Sequence, residues 1–175
     1  MTRVISRSVR TPYVWQMIGS FLAYVVPRRV VLPSRIPVVA LIVDEQDRHI
    51  LAKASSSNAS GHQTWEVHFA ESCEQVSALA SRLVAPIILL DRDWPGMEWR
   101  TAVQGFAALT HHACVVLVSG VDDAYLWEEL VRSGGYDILP KPIEADDVSR
   151  VMKLALPYWA IHAPGPSPLA ESLRK

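Results

Sequence analysis

Residues 86–91 read Pro-Ile-Ile-Leu-Leu-Asp, a short apolar run that ends at a carboxylate. A continuous apolar run of this kind is typical of a strand that is buried on both faces of a parallel sheet. Three further runs have the same form: Val38–Val43 before Asp44 and Glu45, Cys114–Val118 before Ser119, and Tyr136–Leu139 before Pro140 and Lys141. Because open α/β sheets place their sites beyond the carboxyl ends of the strands, these polar groups are expected to share one pocket.

Between these runs the spacing of apolar residues changes to that of helices. Residues 76–83 carry apolar side chains at i, i+3, i+4 and i+7, and Trp65 and Val67 alternate with polar residues as in a half-buried strand. A weaker helix over Asp47–Ala54 is interrupted by a serine-rich stretch. Five strands alternating with five helices predict an α/β fold, a doubly wound parallel sheet with right-handed crossovers.

Composition narrows the class of protein. At 175 residues, half of them apolar and 20% charged, the chain is expected to form one globular domain with flanking segments. A net charge of −1 provides no basic field, so we expect no nucleic-acid partner. The two cysteines, Cys73 and Cys114, fit no metal-ligand pattern, and Cys114 is expected to be a small buried apolar residue. The sequence is typical of a cytoplasmic protein.

The chain divides into three parts. Residues 1–35 form an N-terminal extension, 36–156 the domain, and 157–175 an irregular C-terminal tail rich in proline. Residues 13–26 are mostly apolar between arginines, but the run is too short for a membrane span, so no integral membrane segment is expected. We expect the extension to be poorly ordered or helical, with an interfacial anchor or a mis-assigned start codon as alternatives.

The polar groups at the strand ends suit chemistry on a phosphoryl group. Asp91 can act as a nucleophile toward phosphorus, which requires neutralisation of the charge on both reactants. Asp44 and Glu45 can hold Mg²⁺, a cation that prefers oxygen ligands and keeps several waters. Ser119 can hydrogen-bond one phosphoryl oxygen, and Lys141 can pair with another as a point charge.

Each residue also has a purely structural explanation. Aspartate and serine after a strand commonly form turns, and Lys141 could be a solvated loop charge. The acidic pair, Asp44 and Glu45, could simply cap the helix that follows. The combination at four successive strand ends favours the chemical interpretation.

The chain from about residue 36 to 156 resembles the receiver domain of two-component response regulators. The resemblance rests on four segments: Leu41–Glu45, Leu89–Asp91 with Trp94–Met97, Val118–Gly120, and Leu139–Pro142. It implies a flavodoxin-like, five-stranded sheet with strand order 2-1-3-4-5.

The resemblance also implies a function. Asp91 would accept a phosphoryl group from a histidine kinase or phosphotransfer protein, assisted by Ser119 and Lys141. The protein would be a stand-alone response regulator in a phosphorelay and not an enzyme beyond its own phosphorylation and dephosphorylation. Its signal would reach a downstream protein by contact, through the fourth helix, fifth strand and fifth helix.

The cofactor implied by the same resemblance is Mg²⁺. Its ligands would be Asp44 or Glu45, the carboxylate of Asp91, and the backbone carbonyl of Asp93. The side chain of Asp93 adds a second negative charge beside Asp91.

Two departures leave alternatives open. Ile138 stands where receiver domains usually carry an aromatic residue that reorients on phosphorylation, and Trp99 stands where a glycine often closes the turn into the third helix. An unphosphorylated pseudo-receiver that acts as a docking module is therefore the first alternative. A phosphatase of the haloacid dehalogenase type, which uses an Asp-x-Asp segment such as 91–93 and takes further acidic metal ligands from a strand after the lysine, is a more distant one.

Overall fold

The computed structural model describes residues 35–57, 64–109 and 112–162. Five parallel strands lie in the order β2-β1-β3-β4-β5, which confirms the predicted sheet. The elements are β1 (Arg35–Leu41), α1 (Glu45–Ser57), β2 (Thr64–Phe69), α2 (Cys73–Leu83), β3 (Ile87–Asp91), α3 (Trp99–Ala107), β4 (Cys114–Ser119), α4 (Ala124–Arg132), β5 (Asp137–Pro140) and α5 (Ala145–His162). The predicted extension, apart from residue 35, and the tail from residue 163 lie outside the described residues.

The central strand β3 is buried from end to end. Its side chains alternate between two apolar layers: Ile87 and Leu89 face the layer shared with α1 and α5, while Ile88 and Leu90 face the layer of α2, α3 and α4. Full burial of such a side chain contributes about 1.5–3 kcal/mol. Both faces of β3 are covered, so its sequence is continuously apolar and Asp91, its last residue, ends inside the protein.

The first strand ends earlier than its apolar pattern predicts. β1 stops at Leu41, so Ile42 and Val43 belong to the connection that leads into α1. Asp44 then caps the helix, because its Oδ1 accepts hydrogen bonds from the backbone N–H groups of Gln46 (2.7 Å) and Asp47 (3.1 Å). This cap explains why α1 begins at Glu45, two residues before the predicted helix start.

The last helix extends beyond the predicted end of the domain at residue 156. α5 has 18 residues and continues to His162 with Pro157 in its interior, although proline usually ends a helix. Trp159 lies two residues further on and is buried in the layer that α5 shares with α1, so tertiary packing outweighs the lost hydrogen bond. Within the three described segments, no helix has the length and apolar character needed to cross a membrane.

Cys114 is a buried apolar residue, as the sequence predicts. Its Sγ lies 3.6 Å from the carbonyl oxygen of Ala155 on α5. Burial raises the pKa of the thiol to about 12, so Cys114 stays protonated at neutral pH.

One buried carboxylate lies away from the predicted pocket, at the start of β5. Asp137 is 7% exposed, and its Oδ1 accepts a hydrogen bond from the N–H of Ile138 at 2.9 Å. Its Oδ2 is buried and has no hydrogen-bond partner among the residues that the structure describes. Burial raises the pKa of Asp137, and the charge of Asp122 acts in the same direction, while the Ile138 N–H and Arg150 oppose the shift.

A neutral residue at position 137 should therefore stabilise the protein at neutral pH. A pKa that is raised in the folded state means that folding disfavours the ionised carboxylate. We expect Asp137→Asn to increase the free energy of unfolding by about 1 kcal/mol at neutral pH, and the gain to vanish as the pH falls below about 4, where the wild-type side chain is protonated in both states. Urea unfolding at several pH values measures this, and a gain that is constant with pH would contradict the explanation.

Candidate functional site

The Asp91 carboxylate is fully buried at the carboxyl end of the central strand. Its Oδ2 accepts a hydrogen bond from the N–H of Val43 at 3.0 Å, and its Oδ1 accepts one from the N–H of Asp93 at 3.2 Å. The chain turns directly afterwards, with the N–H of Trp94 3.3 Å from the Asp91 carbonyl oxygen. Two backbone donors therefore fix the orientation of this carboxylate.

Lys141 provides the positive charge that balances Asp91. Its Nζ lies 2.9 Å from Asp91 Oδ1 and 2.7 Å from Oδ2, so the ammonium contacts both oxygens. The backbone positions it too, because the Lys141 N–H donates to the carbonyl oxygen of Ser119 at 2.9 Å. The lysine side chain is 19% exposed and the aspartate 0%, so this is a largely desolvated ion pair.

Ser119 ends β4, the strand that neighbours β3. The register pairs Asp91 with Val118 and Ser119 with Pro140, which places the hydroxyl at the same sheet edge as the Asp91–Lys141 pair. The side chain is fully buried, and its Oγ accepts a hydrogen bond from the N–H of Val121 at 3.0 Å. A serine hydroxyl held this way still has a proton to donate.

A third charged residue of the pocket, Asp47, is not predicted from the sequence. Its Oδ2 lies 3.8 Å from Lys141 Nζ, and its Oδ1 accepts a hydrogen bond from the N–H of Ile143 at 3.3 Å. The side chain is only 9% exposed. One signal was available: Asp47 lies three and four residues before Ile50 and Leu51 on the inward face of the helix, where an unpaired charge is not expected.

The two residues of the predicted acidic pair, Asp44 and Glu45, have other contacts in this structure. Asp44 Oδ1 is used in the helix cap, and the Glu45 side chain is 90% exposed and 3.8 Å from Arg48 Nε. Nowhere in the described parts of the chain do three or more His, Cys, Asp or Glu side chains form a group that could hold a metal ion. The geometry therefore joins Asp91 to Lys141. The metal-ligand assignment, Asp44 or Glu45 with Asp91 and the backbone carbonyl of Asp93, stays a prediction.

The two positions that depart from the receiver pattern are both part of the core. Ile138 is buried in the layer of α2, α3 and α4, and an aliphatic side chain there has no polar end to exchange partners. Trp99 is the buried first residue of α3, and the guanidinium carbon of Arg100 lies 4.5 Å from its ring centroid. Beyond Lys141 the described chain forms α5 and no strand, which is not the arrangement expected for a dehalogenase-type phosphatase.

Comparison with solved structures gives the same fold. The chemotaxis response regulator CheY4 of Vibrio cholerae matches with a TM-score of 0.61 and 15% identity, over 70% of this chain and 99% of that one. The receiver domain of the putative response regulator NarL of Mycobacterium tuberculosis matches with a TM-score of 0.60 and 20% identity, over 70% and 98%. The receiver domain of an HD domain-containing protein of Pseudomonas fluorescens Pf-5 gives 0.61 and 17%, over 75% and 94%.

Sequence comparison adds no closer relative. No protein-family model matches the chain, and no curated protein matches it. The chain therefore has the receiver fold, with a sequence that has diverged far from these structures.

Removing the cation from the pocket should destabilise the protein strongly. Lys141→Met leaves the buried Asp91 carboxylate without its counter-charge, and we expect the free energy of unfolding to fall by about 3–5 kcal/mol. Adding Asp91→Asn to Lys141→Met should recover part of the loss. Urea denaturation measures both, with Lys153→Met, an exposed lysine of α5, as the matched control within about 0.5 kcal/mol of wild type. A loss no larger than that of the control would contradict the ion-pair argument.

Proposed function

We propose that this chain is a receiver-type signalling protein that accepts a phosphoryl group on Asp91 from a histidine kinase or phosphotransfer protein. The observation that carries the proposal is the buried Asp91–Lys141 pair at the carboxyl edge of a receiver-fold sheet. Ser119 at the end of the adjacent strand supplies a hydroxyl at the same edge. A nucleophile, a cation and a hydrogen-bond donor are the groups that phosphoryl transfer to a carboxylate needs.

In the proposed reaction, one carboxylate oxygen of Asp91 attacks the phosphorus of the donor. A new bond from this oxygen to phosphorus forms, the bond to the donor's leaving group breaks, and the electron pair leaves with that group. Lys141 must release one Asp91 oxygen before the attack, and its ammonium then pairs with the phosphoryl oxygens. Receiver domains generally use Mg²⁺ to neutralise charge in this transfer. Here Asp44 or Glu45, with Asp91 and the backbone carbonyl of Asp93, would hold the ion, which would supply that neutralisation.

The proposed output is contact with a downstream protein. Apolar side chains are exposed on the two helices nearest β5: Tyr125 and Val131 on α4, and Tyr158 and Ile161 on α5. These side chains support the α4–β5–α5 region as the docking surface, since burying them in a complex would be favourable.

A second candidate is a docking module that is never phosphorylated. Two observations favour it: the Asp44 side chain caps α1 while the Glu45 side chain is exposed beside Arg48, and Ile138 cannot act as a switching aromatic residue. On this alternative, the Asp91–Lys141 pair only stabilises the fold.

Intact-mass spectrometry separates the two candidates. Purified protein incubated with acetyl phosphate and Mg²⁺ should gain the mass of one phosphoryl group, and Asp91→Asn should gain none. Asp91→Asn keeps the size of the side chain and an acceptor oxygen for the Val43 N–H, so the fold should persist; circular dichroism checks this.

Either of two results would reject the assignment. An unmodified wild-type protein at every donor concentration, with acetyl phosphate and with phosphoramidate, would favour the docking module. An adduct that persists in Asp91→Asn would place the acceptor elsewhere. Repeated turnover of a phosphate monoester would instead indicate a phosphatase.

A further inference from the structure

The ammonium group of Lys141 lies between two buried carboxylates. One is Asp91, at 2.7 and 2.9 Å, and the other is Asp47, whose Oδ2 is 3.8 Å away. The contact with Asp47 is too long for a good hydrogen bond but close enough for strong Coulomb attraction in a desolvated site. Asp47 is therefore a second anionic partner of Lys141, in addition to Asp91.

Asp47 is held in place from two sides. Its backbone N–H donates to the capping side chain of Asp44, so its position at the start of α1 is fixed. Its Oδ1 accepts from the N–H of Ile143, in the connection between β5 and α5 that also contains Lys141. The carboxylate is thus anchored through one oxygen, which leaves the other directed at the lysine.

We infer that Asp47 is a positioning residue that keeps the Lys141 ammonium in the pocket while Asp91 reacts. The inference rests on the proposed phosphorylation of Asp91. In the resting state Asp91 holds Lys141 with both oxygens; when one oxygen bonds to phosphorus, that two-point contact is lost. Asp47 retains the ammonium within reach of the arriving phosphoryl oxygens.

This assignment separates three neighbouring carboxylates by role. Asp44 caps α1, Glu45 pairs with Arg48 at the surface, and Asp47 makes the ion contact with Lys141. Glu45 and Asp47 lie in the same first turn of one helix, so Glu45→Gln is a matched control for Asp47→Asn when the contact with Lys141 is measured. If Glu45 held the Lys141 ammonium instead, Glu45→Gln would have the larger effect and Asp47→Asn the smaller one.

The first experiment tests the contact with Lys141 without requiring phosphorylation. A double-mutant cycle of Asp47→Asn and Lys141→Met, measured by urea unfolding, should be non-additive by about fivefold or more in the folding equilibrium constant. The cycle of Glu45→Gln with Lys141→Met should be additive. An additive Asp47–Lys141 cycle overturns the inference.

Side-chain NMR replaces the cycle if Lys141→Met does not fold. In protein labelled with ¹⁵N at lysine, Asp47→Asn should shift the Nζ resonance of Lys141, while Glu45→Gln should leave it in place. An unchanged Lys141 resonance in Asp47→Asn overturns the inference.

The second experiment measures the effect on the reaction. With acetyl phosphate as donor, Asp47→Asn should slow the appearance of the phosphorylated mass about tenfold, and Asp47→Glu should restore part of the rate. Glu74→Gln, at an exposed acid in the first turn of α2, should match wild type. Unfolding curves measured in parallel show that each variant is folded, so a general loss of structure cannot explain a slow rate.

The outcomes for the two proposals are distinct. Equal rates for wild type and Asp47→Asn overturn the positioning role while leaving Asp91 as the acceptor. A wild-type protein that gains no phosphoryl group overturns the proposed function itself, and the Asp47–Lys141 coupling is then read from the first experiment alone.

Discussion

Burial of the Asp91 carboxylate is the constraint that organises this end of the protein. A charge at the end of a strand covered on both faces must be paired and hydrogen-bonded, or it would destabilise the fold severely. Val43 and Asp93 supply backbone donors, and Lys141, the residue directly after β5, supplies the cation. The pairing thus connects the central strand to the β1–α1 connection on one side and to the sheet edge at β5 on the other.

Local and long-range demands compete at the start of α1. A carboxylate at a helix N-cap contributes about 1 kcal/mol by satisfying N–H groups that no helical carbonyl can reach. Asp44 meets that local demand, and Glu45 is left at the surface beside Arg48. The inward-facing acid of this turn is Asp47, which serves the long-range demand of Lys141. Acidic residues that are close in sequence therefore have different contacts at the start of this helix.

The sequence predicts the fold and the Asp91–Lys141 pair of the site, but it does not predict Asp47. Buried parallel strands have continuous apolar sequences, so the sheet and the proximity of Asp91 to Lys141 can be predicted from the positions of the apolar runs. The end of β1 cannot be predicted in this way, because Ile42 and Val43 continue the apolar run after the hydrogen bonding of the strand has stopped. The extension of α5 past Pro157 cannot be predicted either, because it depends on the packing of Trp159 in the core. Tertiary contacts determine the end of β1 and the extension of α5, and the spacing of apolar residues contains no information about those contacts.

The connection between β1 and α1 has an evolutionary consequence. Val43, whose N–H donates to Asp91 Oδ2, is followed directly by the cap residue Asp44, so one short segment both binds the buried carboxylate and starts the helix. An insertion or deletion there would change the Asp91 contact and the helix start together without altering a single acidic codon. Selection on the length of this connection is therefore expected to be stricter than selection on the exposed side chain of Val43, and a motif search that scores residue identity would not register it.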